Sequence, residues 1–148
     1  MADSLWMRLR KVDWKQYDEV SETPTSPSTS AKSIPRLLEQ LASRKEARAM
    51  KASHALWVMF CRGDKPSPPA SVTPTLPFLC EILQISSPGV QCEILDILNH
   101  LAEVQESNDQ RPQTVRNALS KNKHIISRLC RNKDDMVADK ATQLIEKL

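Results

Sequence analysis

Two glycines in 148 residues are too few to build a glycine-rich loop that cradles a nucleotide. Aromatic residues are equally sparse, at three Trp, two Phe and one Tyr, and runs of β-branched residues are scarce. Both shortages argue against a sandwich or barrel, whose strands draw on β-branched and aromatic residues and whose turns draw on glycine. No apolar run approaches the ~18 residues of a membrane-spanning helix. The first residues include Asp3 and lack the apolar stretch of a signal peptide. The four cysteines, Cys61, Cys80, Cys92 and Cys130, lie within apolar helical patterns, and none forms a Cys-x-x-Cys pair. That is the usage of buried free thiols in a reducing compartment rather than of a disulfide framework, so the expected location is the cytoplasm.

Catalytic signatures are missing as well. No His-Glu-x-x-His helix, nucleophile motif or phosphate loop occurs. His54 and Cys61 share a helical face, but a zinc site needs a third and fourth ligand. The expectation is therefore a chain without metal, cofactor or small-molecule substrate, and without enzymatic activity. A DNA-repair activity of the kind some helical-repeat proteins possess would have to rest on Trp57 and an aspartate that the sequence does not single out.

What the chain does have is helical periodicity. From Pro74 to Val104 two apolar faces follow one another, Leu79, Cys80, Ile82 and Leu83, then Val90, Ile94, Ile97, Leu98 and Leu101. Ser86-Ser87-Pro88-Gly89 separates them, with Ser87 placed as an N-cap and Pro88 in the first helical position. Pro77 is expected in the first turn of the earlier helix. Polar Gln91, Glu93, Asp96 and Asn99 are expected outside the apolar stripe. Two helices joined by so short a turn lie antiparallel.

Six of the ten prolines fall in two tracts, which are read as Pro/Ser-rich loops at 21–33 and 63–76. Before the first, residues 1–20 hold Leu5, Leu9 and Val12 at i, i+4 and i+7, a short basic cap helix. Between the tracts, Ser33 and Pro35 open a helix carrying Leu37, Leu38 and Leu41. A second helix follows with Ala49, Ala52, Ser53, Leu56, Met59 and Phe60, ended by Gly63. After a polar break at Glu106–Pro112, Thr114 caps a segment with Val115, Ala118 and Leu119. Ile125, Ile126 and Leu129 form the next face, and beyond a turn at Asn132–Asp135 come Val137, Ala141, Leu144, Ile145 and Leu148.

These pieces repeat. Pro35–Leu41 aligns with Pro77–Leu83 and with Lys123–Leu129, at offsets of 42 and 46 residues. Each is followed by a helix with an i, i+4, i+7 triplet: Ala49, Ser53, Leu56; Val90, Ile94, Ile97; Val137, Ala141, Leu144. Helix pairs at a period of roughly 40–47 residues mark HEAT and armadillo arrays, in which stacking supplies the core that one pair cannot form. The expected fold is all-α, a HEAT-like α-solenoid of about three stacked antiparallel helix pairs with an N-terminal cap, in one domain spanning 1–148.

The chain also resembles the bacterial HEAT-like repeat proteins of the phycobilisome-lyase type. The resemblance rests on Val12-Asp13-Trp14, Ile34-Pro35-Arg36-Leu37-Leu38, Ala55-Leu56-Trp57, Thr73-Pro74 with Leu76-Pro77-Phe78-Leu79, and the Asp-rich turn at Asp134 followed by Val137, Ala141 and Leu144. It implies the repeat fold and, its motifs being structural, no catalytic residue.

Charge is segregated along the chain. From Pro66 to Gln110 there is no Lys or Arg and six acidic residues, whereas Arg111 to Lys133 holds seven Lys or Arg and no acidic residue. The plain explanation is solvated faces on neighbouring repeats. The functional one is a surface for a charged protein partner. In the central pair, Glu93, Asp96, Asn99, His100 and Glu103 form a candidate acidic ridge. Arg116 and Lys123 represent the competing basic block, which would suit nucleic acid but lacks interleaved aromatics for stacking on single strands. The expectation is a non-catalytic protein-binding module, most concretely an immunity protein that occludes a cognate bacterial toxin, with a scaffold or adaptor, or a nucleic-acid-binding HEAT-like protein, as the alternatives.

Overall fold

The computed structural model describes residues 5–12, 14, 34–60, 72–103 and 117–148. Among them all regular structure is helical. The helices are α1 (Leu5–Lys11), α2 (Ile34–Leu41), α3 (Glu46–Phe60), α4 (Val72–Ile85), α5 (Pro88–Glu103), α6 (117–121), α7 (Lys123–Leu129) and α8 (Asp135–Lys147).

Three pairs form between helices adjacent in sequence, α2 with α3, α4 with α5 and α7 with α8. The second members also pack side by side, α3 on α5 and α5 on α8, and the first members do the same, α2 on α4 and α4 on α7. Helix α1 lies against α2. The core fills the space between the two rows. All nine residues of the three i, i+4, i+7 triplets are buried, with Leu56, Ile94, Val137, Ala141 and Leu144 fully inaccessible. The first-row residues Leu38, Leu41, Leu79, Cys80, Leu83, Ile125, Ile126 and Leu129 face them. Burial pushes the Cys80 thiol up to about 12, because a thiolate cannot be solvated there.

Polar side chains close the turns. Gln91 Nε2 donates to the Leu83 carbonyl at 2.9 Å and Ser86 Oγ to the Ile82 carbonyl at 2.7 Å, satisfying acceptors that the end of α4 leaves without helical partners. The Ser87 hydroxyl donates to Glu46 Oε1 at 3.2 Å, so a carboxylate from the first turn of α3 sits at the start of α5, where the helix dipole favours it. Asp134 caps α8 by accepting from the amides of Met136 and Val137 at 3.0 and 3.2 Å. At the other end, Arg8 forms a two-pronged pair with Glu81. The Trp14 indole donates to the Leu9 carbonyl at 2.9 Å and lies 6.2 Å from the Phe78 ring. The cap is thus fastened to α4 as well as α2.

Two expectations need correction. Helix α4 begins at Val72, so the loop expected over 63–76 does not reach Pro77; Thr75 and Leu76 are fully buried within the helix. The first N–H groups of a helix have no internal acceptor, so Pro74 loses nothing there. Pro77 forfeits one bond near the helix start, while Leu76 and Phe78 gain burial beside it. Second, Gln91 and Asn99 are not outside the apolar surface of α5. They are 6% and 8% exposed, because α5 has neighbours on several sides and a single stripe understates its contact surface. The expected loop at 21–33, the Cys61 thiol, the helix end at Gly63, the break at Glu106–Pro112 and the cap at Thr114 lie outside the described residues.

Candidate functional site

The second-row helices α3, α5 and α8 together shape an open groove of about 490 Å³. His54 and Trp57 come from α3, Glu93, Asp96, Asn99 and His100 from α5, and Gln143 and Lys147 from α8. Each set recurs at helical spacing, and all of these residues but the buried Asn99 are partly or fully exposed. Trp57 is 37% exposed. Its ring lies 5.3 Å from that of His100 at a tilt of 58°, so the aromatic pair bridges α3 and α5 while one surface of the indole stays open.

The seam between α5 and α8 is polar. Lys140 Nζ donates to Asp96 Oδ1 at 2.5 Å. Asn99 Nδ2 donates to the carbonyls of Leu95 and Lys140 at 3.0 and 3.1 Å, and its Oδ1 accepts from Lys147 Nζ at 2.9 Å. Hydrogen bonding to Asp96 raises the Lys140 pKa from its ordinary value, against the opposing effect of burial. Asn99 is therefore a joint between helices rather than a contact offered to a partner, and Asp96 has its charge balanced within the chain.

Of the residues anticipated as a binding surface, Glu93, Asp96, Asn99 and His100 line this groove. Lys123 is exposed at the start of α7, in the other row of helices. The side chain of Glu103 and the whole of Arg116 lie outside the described residues. Sequence reasoning missed His54, Trp57, Gln143 and Lys147 as members of one site. A signal was present: the offset that carries Ile94 onto Ala141 also carries Asp96 onto Gln143 and His100 onto Lys147, so corresponding positions of α5 and α8 line one surface.

Among the described residues no group of three or more His, Cys, Asp or Glu is arranged to hold a metal, and no helix is long and apolar enough to cross a membrane. Cys80 is buried, while Cys92 and Cys130 are half-buried free thiols. Burial raises the Cys92 pKa, with the Asp134 carboxylate adding to the shift, the opposite of what an activated nucleophile needs.

Comparison of the chain with protein-family models, with curated proteins and with solved structures finds no match to any of them.

Proposed function

We propose that the chain is a HEAT-like stack of three helix pairs, α2–α3, α4–α5 and α7–α8, with α1 as its cap, and that it acts as a non-catalytic protein-binding module through the α3/α5/α8 groove. The row-on-row packing of first and second helices supports the stack, since in such arrays each repeat touches its neighbours and second helices line an extended binding surface. The observation that carries the binding role is Trp57. A large, partly exposed indole on the α3 side of a groove, braced by His100 of α5 and accompanied by polar side chains, has the composition of an interface hot spot. Scaffold and immunity roles share this groove and differ in whether the partner is an enzyme that is silenced. The Asp96–Lys140 pair weighs against an immunity role built on a strongly acidic ridge, because it leaves that stretch of the groove nearly neutral.

The test is affinity capture with immobilised wild-type protein and with Trp57→Ala, each checked by thermal melt. A partner retained by the wild type and lost from the equally stable variant supports the groove. Partners retained equally by both would contradict it.

A further inference from the structure

We propose that the exposed face of α6 and α7 binds the phosphate backbone of a nucleic-acid duplex without regard to sequence. Five Lys or Arg side chains, Lys121, Lys123, Arg128, Arg131 and Lys133, are exposed here together with His124. None of them is paired with a carboxylate of the described residues, in contrast to Arg8 and Lys140. The buried residues of α7, Ile125, Ile126 and Leu129, occupy one side of the helix. His124 and Arg128 follow at i and i+4 on the opposite side, about 6 Å apart along the axis, and Arg131 and Lys133 lie exposed in the turn that follows α7. The helical spacing corresponds to roughly two phosphates of one strand.

The remaining exposed side chains choose the occupant. From 117 to 133 they are Asn117, Ser120 and Ser127. With the cations, every exposed side chain in this stretch is therefore a hydrogen-bond donor, and none is aliphatic or aromatic. A stable protein interface needs apolar or aromatic anchors at its centre, and this face offers none. Lys, Arg, Ser and Asn are the side chains that contact phosphate oxygens. Single strands are held by stacking on aromatic rings, which this face also lacks, so the chemistry favours a duplex gripped by its backbone. The groove on the second row of helices plays no part in this binding.

The experiment is fluorescence anisotropy of the full chain with a short mixed-sequence DNA duplex, titrated at several salt concentrations. Two triple variants remove the same charge: Lys121→Gln, Arg128→Gln, Arg131→Gln on the proposed face, and Arg44→Gln, Lys45→Gln, Arg48→Gln at the exposed α2–α3 turn. The wild type should bind at low salt and weaken steeply as salt rises. The first triple should lose about tenfold or more in affinity and flatten the salt slope by about two to three units. The second should stay within about twofold of the wild type, and both should melt as the wild type does. Three results overturn the proposal: no binding at low salt, equal losses in the two triples, or displacement of the duplex by poly-glutamate as effectively as by unlabelled duplex, which would assign the face to an acidic protein.

Discussion

Helices α5 and α8 are built on the same triplet pattern yet live in different surroundings. Helix α5 packs against α3, α4 and α8, whereas the principal neighbours of α8 are α5 and α7. The burial follows. Nine residues of α5 are buried, including Gln91 and Asn99, against Val137, Ala141 and Leu144 in α8. The remaining surface of α8 carries Asp135, Met136, Asp139, Thr142, Gln143 and Glu146 to solvent. Position in the row, more than the repeat pattern itself, decides how wide the apolar surface of a helix must be.

The sharpest way to test that difference is to cut the same cavity in both helices. Leu98→Ala should cost about 2–5 kcal/mol, because α5 is hemmed in and cannot move to refill the space. Leu144→Ala should fall toward the lower end of that range, since α8 has an open side and can settle inward. Chemical denaturation of the two variants measures this. An equal or greater loss at Leu144 would break the comparison.

The joint between the helices comes next. Asn99→Ala removes two donated bonds and one accepted bond, for an expected loss of about 1–3 kcal/mol. Hydrogen exchange should show the loosening in α8 more than in α5. A variant as stable as the wild type, with α8 equally protected, would mean that the apolar triplet alone holds α8.

A smaller effect is confined to one end of α8. Asp134→Ala deletes the cap accepting from Met136 and Val137 and should cost about 1 kcal/mol. The amides of Met136 and Val137 should exchange faster while those of α5 are unchanged. Loss of protection throughout α5 would show that the two helices unfold as one unit.

The buried triplets were legible in the sequence because each is local. Each triplet lies on one helix at i, i+4, i+7, and all nine residues are buried. The turns at Ser86–Pro88 and Asn132–Asp135 were legible for the same reason, being set by adjacent residues, whereas the Asp134 cap within the second was not picked out. What stayed hidden depends on distance along the chain. Arg8 meets Glu81 and Asp96 meets Lys140 across separations of 73 and 44 residues, so counting charge in blocks overstated the acidity of α5. Burial of Gln91 and Asn99 depends on neighbours that a single helical wheel does not contain. The groove was half legible: four of its residues were picked from α5, but Trp57 is joined to them only when α3 is laid beside α5.

The smallest effect concerns the Asp96–Lys140 pair. Its side chains are 40% and 24% exposed, so Asp96→Asn should cost no more than about 1 kcal/mol near neutral pH. The Lys140 pKa is raised above 10.5 in the fold. The stability it contributes is therefore complete below that value and is lost as pH rises through the folded pKa. The difference between wild type and Asp96→Asn should shrink on that alkaline side. Cys80 adds a separate alkaline loss, beginning above its ordinary value of 9.0 and running toward about 12, which both proteins share. A difference that grows with pH would contradict the pair.

The central claim is that α3, α5 and α8 present one surface to a partner, with Trp57 as its aromatic anchor. Hydroxyl-radical footprinting of the chain, alone and in complex with a protein captured through the wild-type groove, tests this most directly. The account predicts that binding protects Trp57, His54, His100 and Gln143 together, while His124 and Arg128 on α7 remain as reactive as before. Protection confined to α7, or a Trp57 that is oxidised equally in both states, would contradict it.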